Sequence, residues 1–326
     1  MLIPTFWAEG RVQRRTGNKE ILTVRRYGWS NENQQSAQIH ADGRALEAWT
    51  RIADGQPLAL RDLKLAYGSE GLPIREQVVS QEDNTVITRN SYGALCLNTP
   101  DVAIADIDFD LLIPIDKKNL LALAGTFLMG AVLSTALLSP WVGLGFLVLL
   151  LFTPALATAY RTAKVARAGG IEKVARARVR AFSKERPDWH IRVYRTPKGL
   201  RAIVLHKSML PDDPEVADFF DAVGSDPQYV KMCAQQQCFR ARVSPKPWRI
   251  GINQRIRSWN GLPSVDAKRK HEREIWLRSY DRVAEGYAAC QLVEVLGPGD
   301  RLTAHTAKVL AMHDTLARVK ADFPLA

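Results

Sequence analysis

The sequence predicts an α+β fold: a mixed or antiparallel sheet with helices, interrupted by a two-helix transmembrane hairpin and followed by a helical C-terminal part. Three observations lead there. Short alternating apolar segments flank turn residues on both sides of the chain's middle. The middle itself, from Asn119 to Tyr160, holds no charged residue. Helical spacing returns in the last third. Residues 1–116 are expected to form the N-terminal part of a cytoplasmic α+β domain and 117–160 the hairpin. Residues 161–260 supply a basic helix and the second part of that domain, and 261–326 a helical C-terminal region.

Composition agrees with a folded chain. The 326 residues are 46% hydrophobic and 24% charged, which excludes wholesale disorder. The net charge of +11 suits an anionic partner, either nucleic acid or an acidic lipid surface. The four cysteines, Cys96, Cys233, Cys238 and Cys290, lack the spacing of a zinc site or redox pair and read as reduced, packed thiols. The opening MLIPTFWAEGRVQRR shows no basic stretch followed by an apolar core, so no signal peptide is expected.

The elements follow in order. EILTVRRYGW alternates as a strand, with Arg11 to Gln13 beginning its partner. Gln35 to Ile52 has helical spacing, weakened by Gly43. Strands are expected at Thr85 to Thr88, Ala94 to Leu97 and Val102 to Phe109. A bilayer span needs about 20 apolar residues, so the uncharged stretch supplies two, Leu120 to Leu138 and Trp141 to Ala159, turned at Ser139-Pro140. Ala122, Thr126, Gly130 and Ser134 form a small-residue stripe suited to helix packing or self-association. Lys117, Lys118, Arg161, Lys164 and Arg167 flank the pair, which places both termini in the cytoplasm, with the hairpin in the inner (cytoplasmic) membrane.

Beyond the hairpin, Arg161 to Arg180 carries seven basic residues against one glutamate, a pattern that meets anionic lipid headgroups or nucleic acid. HIRVYRTPKGLRAIVLHK reads as two strands around a Pro-Lys-Gly turn. Both soluble parts lie on one side of the membrane, so VAIADIDF and this second pair are expected to share a sheet. Helices start at PDDPEVADFF and at Asp226-Pro227, and FRARVSPKPWR is a strand running into a basic loop. From His271 onward two helices are expected, split by GPGD at Gly297 to Asp300.

Two constellations carry chemistry. Alternation points Asp106 and Asp108, with Asp110, to one strand face, where magnesium or manganese finds oxygen ligands; solvated acids or pairs with arginines are the alternative. Arg192, Arg195, Arg201, Arg240, Arg242 and Lys246 form a basic set fit for phosphate, or for pairing with the acids. His305 and His313 are too far apart for a metal pair, and His313 and Asp314 are expected to face different directions. His206 stands near the end of the predicted strand pair, within reach of a ligand.

WAEGRVQ, RRYGWS, NSYGALCLNTPDVAIADIDFD, RVYRTPKGLRAIV and CFRARVSPKPWRIG resemble a family of uncharacterised bacterial transmembrane proteins. The motif order is also similar, over about a third of the chain, to archaeo-eukaryotic primase-polymerases. Asp106 and Asp108 match their Asp-x-Asp motif; Arg201, in Lys198-Gly199-Leu200-Arg201, stands where their phosphate-contacting histidine falls. No third acidic residue is placed, and CFRARVSPKPWR is basic there. Two functions are therefore expected in competition, with a membrane enzyme acting on some other phosphorylated substrate as a third. One is a membrane-anchored protein binding nucleotide or nucleic-acid phosphate with a divalent metal. The other is a non-enzymatic scaffold or assembly factor that meets lipid and a protein partner.

Overall fold

The computed structural model describes residues 1–15, 21–62, 72–110, 125, 129, 132, 162–163, 165–256, 267–319 and 322–326. The protein is α+β with antiparallel sheets. Strands β1 (Phe6–Arg15) and β2 (Ile21–Ser30) form a hairpin. Helix α1 (Gln34–Ala53) lies across it. Asn33 caps α1 by accepting from the Ser36 amide at 2.8 Å. Its buried stripe, Ala37, Ala41, Ala45 and Ala48, recurs every third or fourth residue. Those small side chains let the helix touch the hairpin's backbone: a Cβ at Gly28 would lie 2.1 Å from the Ala41 nitrogen. Gly43 points into open space, which is why α1 tolerates it.

Two four-stranded sheets follow, where one sheet was expected. The first joins β3 (Gln77–Glu82), β4 (Thr85–Arg89), β5 (Leu95–Thr99) and β9 (Phe239–Arg242) in that order. The second runs β10 (Gln291–Leu296), β7 (Ile191–Thr196), β8 (Gly199–Val204), β6 (Ile104–Asp108). Strand β6 precedes the uncharged stretch and β8 follows it, so the two segments predicted to share a sheet do. The two helices expected in the C-terminal part form, as α5 (Ala267–Ala284) and α6 (Ala304–Leu316), and strand β10 between them was not expected. QLVEVL carries two β-branched valines and meets the open edge of β7, and that pairing outweighs its tolerance for helix.

The two sheets meet at edge strands β6 and β9, joined by Tyr229 of helix α4 (Pro227–Gln236). Its hydroxyl donates to the Ile104 carbonyl at 2.8 Å and accepts from the Arg240 amide at 3.2 Å. Edge strands leave such backbone groups without ladder partners, and the buried phenol satisfies one on each sheet. The Asp226 amide, at the start of α4, donates to the Asp106 carbonyl at 2.8 Å. Beneath lies the main core, where Leu97, Ile104, Ile107 and Ile203 are almost fully enclosed. Burial of each contributes about 1.5–3 kcal/mol. Helix α2 (Ile171–Glu185) adds Ala175, Val179 and Phe182, and Phe182 stacks edge-on against Trp189 at 5.0 Å. Helix α3 (Pro214–Val223) ends at Gly224 with φ of 72°, a left-handed cap that suits glycine.

The predicted transmembrane hairpin falls outside the described residues, apart from Gly125, Met129 and Val132, which are helical. Among the described residues no helix is long and apolar enough to cross a membrane. Because β6 and β8 pair across residues 119–160, replacing that stretch by a flexible linker is expected to leave a cooperatively folding protein. A single calorimetric transition would bear this out; two independent transitions would refute it.

Candidate functional site

On β6, Asp106 and Asp108 are two residues apart and so share a face, while Ala105 and Ile107 are buried on the other. Antiparallel register sets Asp106 opposite Arg201 and Asp108 opposite Gly199 on β8. Gly199 is required there, because a Cβ would lie 2.0 Å from the Ile107 carbonyl oxygen. Across the seam, β9 alternation puts Arg240 and Arg242 on one face. The Arg201 Nη2 donates to the Arg242 carbonyl at 3.1 Å, tying the two sheets together at this point.

These residues line one cavity of about 450 Å³. Of the acids and cations singled out in the sequence, Asp106, Asp108, Arg201, Arg240, Arg242 and Lys246 line it, and Asp110 and Arg195 do not. Nor does Arg192. Its Nη1 lies 3.4 Å from Asp314 of α6, so it is spent on a structural ion pair. Arg240 reaches the cavity wall, but its guanidinium is held by Glu76 and by the Asn98 Oδ1 at 3.0 Å. Glu76 also accepts from the Thr88 hydroxyl at 2.8 Å, and Asn98 donates to the same hydroxyl at 3.0 Å. Arg240 is therefore a neutralised wall residue.

Sequence reasoning missed Arg249, a further cation on the cavity wall. It follows Pro247 on a single 3-10 turn, Pro247–Arg249, too short to show any periodicity. The only available signal was the basic composition of SPKPWR. Arg242, Lys246 and Arg249 make no ion pair with a carboxylate among the described residues. Lys246 is held below its ordinary range by burial and then by Arg242 and Arg249. Arg249 is lowered by burial and by Arg242, and its Nη1 is buried without a partner among the described residues. Like charges crowded into a half-buried wall are destabilising alone and are relieved by an anion.

The acids show the opposite imbalance. Burial raises the Asp106 carboxyl above its ordinary range; Arg201 and Arg242 oppose this, while Asp226 and Asp108 add to it. Asp226 does not line the cavity. Its Oδ1 accepts from the Gln228 amide at 2.8 Å, as a helix cap. Among the described residues no three metal-ligating side chains converge. Two carboxylates on one strand face fit magnesium, which commonly takes one or two protein carboxylates and completes its shell with phosphate and water. A cation there would also favour the ionised form of Asp106.

Behind Arg201, His313 and Asp314 were expected to diverge, but they meet. Side chains of adjacent helical residues leave at about 100° to each other, yet the near ring nitrogen still reaches the next carboxylate. His313 Nδ1 lies 2.9 Å from Asp314 Oδ1, and its Nε2 lies 3.0 Å from Arg201 Nη1. Cys290 Sγ is 3.8 Å from the same Nε2, an arrangement with the outline of a nucleophilic triad. The electrostatics deny that role. Burial pushes the Cys290 thiol up to about 11 and His313 down to about 4, so neither ion of a reactive pair is favoured. All four cysteines are free and buried. His305 pairs with Asp101 at 2.8 Å, and the His206 ring packs 4.8 Å from Trp189, away from the cavity. No family model, no curated protein and no solved structure matches the chain.

Proposed function

We propose that the chain is a membrane-anchored protein whose cavity binds the phosphate groups of a nucleotide or nucleic acid, with a divalent cation held by Asp106 and Asp108. One observation carries this reading. A carboxylate pair and a cation set without carboxylate partners among the described residues, Arg242, Lys246 and Arg249, face one cavity, each carrying the charge imbalance that a metal–phosphate ligand would cancel. In this reading the cation screens the carboxylates from the phosphates, and the arginine forks and Lys246 take the phosphate oxygens. The similarity in motif order to primase-polymerases adds nucleotidyl transfer as the reaction class, with Arg201 in the place of their histidine.

The anchor is the uncharged stretch from Asn119 to Tyr160. Strands β6 and β8 share a sheet, so a chain that enters a bilayer between them must leave on the side where it entered. That requirement favours two spans over one. The basic flanks then place the folded part in the cytoplasm, with the basic α2 region toward anionic headgroups.

Isothermal titration of the detergent-solubilised protein with ATP and with a short single-stranded oligonucleotide tests the site. Affinity is expected to rise when magnesium or manganese is added. The Asp106→Asn/Asp108→Asn double variant should lose that rise. Arg242→Ala should weaken binding with or without metal, by roughly the 1.5–3 kcal/mol of a charged hydrogen bond. Absence of metal-dependent binding to either ligand would overturn the phosphate reading and favour the scaffold.

A further inference from the structure

The cavity explains which groups face a ligand; it does not explain why so much polar structure lies buried behind Arg201. Arg201 is 4% exposed, His313 1% and Tyr194 fully enclosed. None of His313, Asp314 or Tyr194 lines the cavity. We infer that Asp314 and His313 form a buried positioning relay that fixes the guanidinium of Arg201 toward phosphate in the cavity.

The hydrogen-bond directions leave one consistent assignment. Arg201 has only donors, so His313 Nε2, at 3.0 Å, must accept and carries no proton. The proton of the neutral ring is then on Nδ1, which donates to Asp314 Oδ1 at 2.9 Å. Asp314 is held in turn by the Tyr194 hydroxyl, which donates to Oδ1 at 2.9 Å, and by Arg192. Tyr194 also packs edge-on against the His313 ring at 4.9 Å, fixing its plane. At its other edge Arg201 donates to the Arg242 carbonyl at 3.1 Å. Both Nη atoms are thereby pinned, and the guanidinium plane has a single orientation beside Asp106, its cross-strand neighbour. Such outer partners set the tautomer and direction of an inner group. A flexible arginine would lose side-chain freedom on gripping a ligand, and a clamped one has already lost it. Arg192 is the outermost member of this relay, which gives its conspicuous charge a role away from the ligand.

This inference rests on the phosphate reading, and the test separates the two. The full-length protein is titrated with inorganic tripolyphosphate, with and without magnesium. Asp314→Asn should present an amide donor to Nδ1 and move the proton to Nε2, where it opposes the Arg201 donor. His313→Leu removes the acceptor, whereas His313→Gln can keep an oxygen near the Nε2 position. Asp314→Asn and His313→Leu are expected to weaken tripolyphosphate roughly 10-fold, and His313→Gln by less than about 3-fold. The ratio of affinities with and without magnesium should stay unchanged, since the relay acts on Arg201 and not on the carboxylates. Nitrogen-15 NMR of the wild type should show the His313 proton on Nδ1, and on Nε2 in Asp314→Asn. A merely structural role would move none of these selectively. Wild-type affinity in folded Asp314→Asn and His313→Leu, or a wild-type proton on Nε2, overturns the relay. A wild type that ignores tripolyphosphate overturns the phosphate reading, and with it the ligand half of this one. If Asp314→Asn does not fold, the contrast between His313→Gln and His313→Leu decides.

Discussion

Replacing Glu76 by glutamine is expected to destabilise the protein by about 3 kcal/mol, the loss that follows when one partner of a buried ion pair is removed. Glu76 and Arg240 keep only 15% and 12% of their side-chain surface in solvent, so screening reduces the effect little. The Arg240 guanidinium would face Asn98, a polar but uncharged group, with its charge uncompensated. Thr88 would still have an oxygen to donate to, so the charge itself is what the substitution tests. The companion variant Glu76→Leu/Arg240→Met removes both charges and should lie within roughly 1–2 kcal/mol of wild type. Urea unfolding at constant m reads both. The double variant should also bind ATP as wild type does, because Arg240 is already neutralised at the wall. A Glu76→Gln loss below about 1 kcal/mol would mean that solvent screens the pair, and reduced ATP binding in the double variant would make Arg240 a ligand contact.

Acid is expected to weaken the fold through His313. Burial lowers its pKa from an ordinary 6.5 to about 4. As pH falls through 6.5, the unfolded chain takes up a proton that the folded ring refuses. The stability contributed by the neutral ring is therefore complete above 6.5, is lost progressively as pH falls, and stops declining below about 4, where the folded ring protonates too. The full loss is roughly 3 kcal/mol, about 2 of which falls between pH 7 and 5. His190 and His206 are also lowered, by burial first, and push in the same direction. The comparison that isolates His313 is thus wild type against His313→Gln at the two pH values. The variant's stability should fall by about 2 kcal/mol less than that of wild type over that interval. Equal losses in both would place the titrating group elsewhere.

The sequence by itself determined the elements that local periodicity encodes, and with them the strand faces on which Asp106, Asp108, Arg240 and Arg242 reach the cavity. Alternation in IADID and FRAR assigned Asp106 with Asp108, and Arg240 with Arg242, to common faces, because strand geometry turns every second side chain the same way. Proline marked the starts of α3 and α4, and glycine the end of α3, for equally local reasons. Only the tertiary structure decided what each charge does. Arg192 and Arg201 look alike along the chain, yet one anchors Asp314 and the other is clamped at the cavity. Arg240 and Arg242 are two residues apart, and Glu76, from a distant segment, neutralises only the first among the described ion pairs. Strand β10 was hidden for a related cause: six residues of ambiguous propensity became a strand because β7 offered an unpaired edge. Periodicity reports the face on which a side chain lies. Whether its charge is free depends on which partner arrives there from elsewhere in the chain, and only the folded packing supplies that partner.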